Sequence, residues 1–243
     1  MSELGGLVRS LAGRTVARNF HTHVIGELGF RIVSGQYPAG SSLPGDAEMI
    51  AEFEVSRTVL REVLKSIESK GLVEARPKIG TKVSPRSRWN HFDNAVIAWQ
   101  FRAGIDNARL TQITEIRQAI EPMVSAVVAT RKVADDLRML HYWLQQMEGS
   151  RKSPLNFAIA DFEFHLIIAD ISKNEFLRSF MGLVELCHCC IYEKLIAEDV
   201  EVPAALVSSH VQILSAIESG NDAKTAKAIL NSIALDLQFG LKA

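Results

Sequence analysis

Ser56-Arg57-Thr58-Val59-Leu60-Arg61-Glu62-Val63-Leu64 decides how the first third of this chain is read. Ser56 is a residue type that starts helices, because its hydroxyl accepts a bond from an early backbone N–H. From it a helix over 57–70 gathers Val59, Leu60, Val63, Leu64 and Ile67 into one apolar stripe. Arg57 and Arg61 are four residues apart and share a face, which Lys65 extends by a turn. Gly71 ends the helix.

Upstream, Val55 and Ser56 make a tight turn after a short helix over 47–53. Asp46 is its expected cap, and Met49, Ile50 and Phe53 face inward. Before that, Val16, Phe20, Val24, Ile25, Leu28, Ile32 and Val33 recur near a 3.6 period and predict a helix over 16–36, stopped by Gly35. Tyr37-Pro38-Ala39-Gly40 and Leu43-Pro44-Gly45-Asp46 are turns. Downstream, Leu72-Val73-Glu74-Ala75 and Thr81-Lys82-Val83 read as two short strands around Pro77-Lys78-Ile79-Gly80, a β-hairpin.

Three helices followed by a hairpin make a winged helix-turn-helix over 16–84. In such a unit the second helix braces and the third offers its first residues to the major groove of DNA. Those residues are Ser56, Arg57, Thr58 and Arg61, with Lys65 one turn on. Arginine suits bidentate contact with guanine, and the hydroxyls suit phosphates or base edges. Lys78, Gly80 and Lys82 of the hairpin fall where an adjacent groove or phosphate track would run. Between Ser56 and Lys82 seven Lys/Arg stand against three Asp/Glu, although the whole chain carries a net charge of −1. A single basic helix is most often a solvated face; the order of elements is what favours nucleic acid.

The chain has 243 residues, 47% hydrophobic and 23% charged, which excludes disorder throughout and suits two domains. No uncharged apolar stretch approaches the ~18 residues of a membrane span, and the first residues lack the apolar core of a secretory signal. Cys187, Cys189 and Cys190 are odd in number and clustered, unlike a disulfide framework, so a cytoplasmic protein is expected.

Residues 85–106, with Trp89, Trp99 and the basic Arg86, Arg88 and His91, read as a linker. Beyond it the pattern is helical, which makes the fold mainly α: a winged helix-turn-helix followed by an all-helical bundle over 107–240. Helices are expected at 92–102, 107–130, 133–149, 153–172, 174–198, 203–219 and 221–240, with Pro122 kinking or restarting the second. Asp161 and His165 are four apart on an apolar helix, and His210 opens another. These types suit a divalent ion, a hydroxylated acid, or plain core hydrogen bonding. Cys187-His188-Cys189-Cys190 reads as small core residues and a stray histidine, because consecutive helical residues point about 100° apart and do not converge. A phosphate loop, a nucleophile elbow and a His-Glu-x-x-His helix are all missing, so an enzyme is not expected.

On these residues the chain resembles the GntR family of bacterial regulators. The resemblance is carried by Ile32-Val33-Ser34-Gly35-Gln36-Tyr37-Pro38-Ala39-Gly40, Leu43-Pro44, the stretch 56–64, Gly71-Leu72-Val73 and Gly80-Thr81-Lys82-Val83. Ala47 and Lys78 depart from the usual pattern. Residues 107–235 are similar to the FCD ligand-binding domain of the FadR-type branch, on Glu115-Ile116-Arg117, Glu121-Pro122, Asp161 with His165, Ser172-Lys173-Asn174, and His210 through Ala216-Ile217 and Gly220.

The resemblance implies that Asp161, His165 and His210 hold one divalent metal ion, zinc or similar, with Ser232 standing where a fourth ligand is expected. It also implies that Arg117 joins them around an effector and pairs with its carboxylate. The tract Arg88-Trp89-Asn90-His91-Phe92-Asp93 is similar to the connecting segment of sugar-acid operon repressors. The expectation is therefore a homodimeric repressor of a galactonate, related aldonate or hexuronate operon. It would bind a double-stranded DNA operator and leave it on binding a small hydroxy-carboxylate. The alternatives are a metal- or other carboxylate-responsive regulator of this family, or a helical-bundle enzyme with a nucleic-acid-binding appendage.

Overall fold

A computed structural model of the protein describes residues 6, 20–76 and 80–242. The described chain forms two compact units, one over Thr15–Gly104 and one over Ile105–Ala243.

In the first unit, α1 (Phe20–Val33) buries Val24, Leu28 and Ile32; the expected helical residues 16–19 lie outside the described set. Helix α2 spans Asp46–Phe53. Asp46 is its first residue rather than its cap, a correction to the sequence reading: extended Gly45 occupies the cap position without a side-chain bond. Helix α3 (Arg57–Ser69) begins as expected, with Ser56 Oγ accepting from the Val59 N–H at 3.2 Å. Its stripe Leu60, Val63 and Ile67 is buried, and Gly71, at φ +76°, turns the chain away.

Strands β1 (Val73–Arg76) and β2 (Gly80–Val83) pair antiparallel, with Val73 opposite Val83 and Glu74 opposite Lys82. Residues 40–43 line the other edge of β2 through Leu43 N–H to Thr81 C=O at 2.8 Å and Val83 N–H to Ser41 C=O at 2.9 Å. Both edges of β2 are thus hydrogen-bonded, which stiffens a wing too short to stand alone. Lys78, assigned to the wing tip, lies outside the described residues.

Residues 86–103 pack into this unit. A 3₁₀ turn (Arg86–Arg88) leads to Trp89, whose indole N–H donates to Ser84 C=O at 3.1 Å. Helix α4 (Asn94–Ala103) is capped by Asp93 and lies against α1, adding Val96 and Trp99 to the core.

The second unit contains α5 (Asn107–Arg131), α6 (Ala134–Gly149), α7 (Pro154–Ile171), α8 (Glu175–Ala197), α9 (Ala204–Glu218) and α10 (Asp222–Lys242). Helix α5 runs on through Pro122 without restarting there. Proline removes a hydrogen bond there, but Pro122 is buried and α5 packs extensively on α10, so tertiary packing carries the helix past it. Helix α7 touches α5, α6 and α8 and is apolar on nearly all sides, with Phe157, Phe162, Phe164 and Ile168 buried. A helix enclosed in this way must answer any polar side chain it carries from its neighbours. Among the described residues no helix is long and apolar enough to cross a membrane.

Gly29 marks a close contact between α1 and a side chain of α4 in the first unit. A Cβ there would collide with the Trp99 ring. Gly29→Ala should therefore destabilise the unit by about 1–3 kcal/mol through overpacking, read as a lower thermal midpoint. Gly45→Ala, whose Cβ would meet nothing within 4 Å, should be near neutral.

Candidate functional site

The enclosed helix α7 supplies Asp161 and His165 on one face, a consequence of their four-residue spacing. Helix α9 adds His210, and α8 adds His188 and Tyr192. All five side chains are buried. One Asp161 oxygen, Oδ2, accepts from the Tyr192 hydroxyl. The other, Oδ1, has no hydrogen bond, yet three imidazoles surround it. Nε2 of His210 lies 2.9 Å away, that of His165 3.5 Å and that of His188 3.8 Å.

His210 Nδ1 donates to Leu206 C=O at 2.7 Å, which leaves Nε2 to face Asp161 Oδ1. Burial would lower the His210 imidazole, but Asp161 beside it raises it above its ordinary value. His210 Nε2 and His165 Nε2 are 3.3 Å apart, and neither nitrogen of His188 has a partner. Three imidazole nitrogens converging on one carboxylate oxygen are a donor set that a cation can occupy once they are unprotonated. Ligand bonds of about 2.0–2.1 Å put neighbouring donors about 3 Å apart, the spacing seen here. Asp161, His165 and His210 present one ligand atom each, all within 4.8 Å of one another. The donor set and its orphaned oxygen fit a divalent transition ion such as zinc.

Charge points the same way. Burial pushes the His165 and His188 imidazoles down to about 3, leaving them neutral and free to bind. Burial would raise Asp161, but the facing imidazoles of His188, His210 and His165 hold its carboxyl well below the usual range. The surroundings hold two further carboxylates, Glu121 on α5 and Asp236 on α10, against one guanidinium, Arg117. Arg117 Nε meets Glu121 Oε1 at 2.6 Å, and one terminal nitrogen meets Asp236 Oδ2 at 3.1 Å. Burial pushes Asp236 up to about 7 even with Arg117 beside it.

Arg117 is thus brought to the cluster, as expected for the effector set, with its nitrogens already engaged by two carboxylates of the protein. Ser232, the expected fourth metal position, instead donates to Ser209 Oγ at 3.3 Å. The additional imidazole comes from His188, which reads as a stray histidine in the sequence. The objection to convergence of the Cys-His-Cys-Cys run holds for the run, since only His188 reaches Asp161. A usable signal is present: His188 and Tyr192 are four apart on one helix, the same spacing as Asp161 and His165.

In the first unit Arg57, Thr58 and Arg61 are exposed on α3, and neither arginine forms an ion pair with a described residue. The Ser56 hydroxyl is used by its own helix cap. Lys65 is paired with Glu62 at 2.9 Å, Gly80 is exposed and Lys82 is half-buried.

Comparison with known proteins adds to this geometry. The family described as bacterial regulatory proteins, gntR family, matches residues 20–83, and the FCD domain matches residues 112–235. The galactonate operon transcriptional repressor of Escherichia coli (strain K12) is 28% identical over 208 residues, covering 85% of this chain and 90% of that protein. The uncharacterized HTH-type transcriptional regulator YieP of the same organism is 30% identical over 227 residues, covering 91% and 97%. Among solved structures, one described as Lar, which controls the expression of the Listeria monocytogenes agr system, covers 94% of this chain and 99% of its own. Its TM-score is 0.61 at 17% identity, a likeness of fold alone.

Two outcomes test the buried network. Arg117→Ala leaves Glu121 and Asp236 without a counter-charge, so it should cost about 3–5 kcal/mol, read as a fall in the denaturant midpoint. Burial pushes the Cys187 thiol up to about 11 and raises Cys189 and Cys190 as well. At pH 8 a thiol reagent should therefore label these cysteines slowly in the folded protein and rapidly in denaturant.

Proposed function

This chain belongs to the GntR family of bacterial regulatory proteins and carries its FCD domain, and from that premise we propose that it is an effector-released repressor. Transcription regulation rather than catalysis is the work of the family. Arg57, Thr58 and Arg61 would read base edges in the major groove. Lys65, Lys78, Gly80 and Lys82 would lie along phosphates, and Ser56 would set the start of the reading helix. One such helix covers a half-site, so a homodimer on a two-fold operator is the matching assembly.

The observation that carries the effector half is Asp161 Oδ1, which accepts no hydrogen bond and is ringed by the imidazoles of His165, His188 and His210. Asp161, His165 and His210 would hold a divalent cation, with His188 closing the fourth side. Bound there, the cation supplies a Lewis-acidic seat for the carboxylate and adjacent hydroxyl of a small organic anion. Arg117 would serve by keeping Glu121 and Asp236 compensated, since its donors are engaged within the protein. The name of the galactonate operon repressor supports a sugar acid as the catabolised compound. An effector shifts operator occupancy only by its difference in affinity for the free and DNA-bound states.

Fluorescence anisotropy with DNA from upstream of the protein's own gene tests the reading. Retention at modest salt, released by a hydroxy-carboxylate, is expected; absence of retention would sink it. Arg57→Ala or Arg61→Ala should each weaken binding by about 1–3 kcal/mol, the worth of one bidentate hold on a base edge. Elemental analysis should find a divalent metal in the purified protein, with Asp161→Asn and His210→Ala each lowering its content. A metal content unchanged in both variants would place the ion elsewhere.

A further inference from the structure

Asp161 has only one oxygen to offer a metal ion. Oδ2 is taken by the Tyr192 hydroxyl, which leaves Oδ1 as the free donor. Tyr192 thereby blocks the two-oxygen clasp by which a carboxylate holds larger ions. With Nε2 of His165 and of His210, Oδ1 makes three donors. Ser232, where the resemblance expects a fourth, is engaged with Ser209 instead.

His188 is fully buried on α8, and neither of its nitrogens has a hydrogen-bond partner among the described residues. A buried polar group left bare in this way calls for an explanation. Its Nε2 stands 3.8 Å from Asp161 Oδ1. Donors sharing one tetrahedral ion at ordinary bond lengths sit about 3.3 Å apart, so a shift of about half an ångström brings this ring in. The ring is also less tethered than the other two. His210 Nδ1 is held by Leu206 C=O, and His165 Nδ1 lies 3.7 Å from Glu121 Oε2, whereas His188 Nδ1 has no such hold.

Aromatic rings back the three imidazoles. Phe162 stands edge-on to His188 with ring centroids 6.2 Å apart, and Phe164 stands edge-on to His165 and His210 at 6.0 and 5.3 Å. An ion that demands six ligands would have to complete its shell with water against this hydrocarbon, at a cost in desolvation. An ion content with four would not.

We propose that His188 is the fourth protein ligand, moved to α8 from the position of Ser232, and that the set Asp161, His165, His188 and His210 is a four-coordinate site selecting zinc over ions that require six ligands. This rests on the metal reading above and assigns its coordination. Zinc can expand to five ligands, so a complete resting shell still leaves room for an added anion.

Cobalt(II) and nickel(II) titrated into the metal-stripped full chain test it. Four-coordinate cobalt has intense visible bands and six-coordinate cobalt weak ones. Intense bands are expected, together with cobalt bound at least as tightly as nickel, the reverse of the general order at nitrogen and oxygen sites. His188→Ala should shift or weaken the bands and lower zinc affinity by at least about tenfold, the smallest loss expected from disturbing a ligand set. Weak bands with nickel preferred would overturn the proposal. So would a folded His188→Ala whose bands keep their position and strength. Should that variant not fold, the spectrum and metal preference of the unaltered chain decide alone. Failure of every metal to bind would remove the metal reading beneath it.

Discussion

A carboxylate taken out of water has to be answered by charge, and Asp161 imposes that requirement on the whole carboxy-terminal bundle. It sits on the most enclosed helix, α7, with one oxygen satisfied by Tyr192 and the other facing only ring nitrogens. Leaving an ion uncompensated in such a place costs several kcal/mol. Glu121 and Asp236 add negative charge nearby, and Arg117 offsets only part of it. Asp236, pushed up to about 7, relieves part of that charge by holding a proton. The metal reading therefore rests on the spacing of the donors around Asp161 Oδ1.

The two units handle charge in opposite ways. In the helical bundle Arg117 is buried and its ion-pair partners are the internal carboxylates of Glu121 and Asp236. Its planar fork holds two carboxylates in fixed geometry, a structural use of a side chain that also suits anion recognition. In the amino-terminal unit Arg57 and Arg61 stand exposed and without described ion pairs. Neighbouring Lys65 and Arg88 are tied to Glu62 and Glu74. Uncommitted charge at the start of α3 is available to an outside anion, while the same charge in the bundle is consumed in holding helices together.

Much of this is legible in the chain because it depends on neighbours in sequence. The Ser56 cap, the α3 stripe and the hairpin follow from local hydrogen bonding and periodicity, and the structure has all three. The Asp161–His165 pairing follows from helical spacing. Pro122 does not restart the helix, because the cost of proline is weighed against the packing of α5 on α10. His188 is hidden by its immediate neighbours, which are cysteines; its relation to Asp161 crosses from α8 to α7. Arg117 is singled out only through the family resemblance, and its engagement with Asp236, 119 positions away in sequence, leaves no local trace.

By itself, the order of residues determined a winged reading head, a helical bundle behind it, and the residue types able to hold a metal ion or an organic acid. Backbone propensity, capping and side-chain periodicity act over a few residues and are written in the chain. Only the tertiary structure decided that His188 rather than Ser232 approaches the aspartate and that Arg117 is already engaged. Each of these depends on which faces of distant helices meet, and that is set by how the whole core closes.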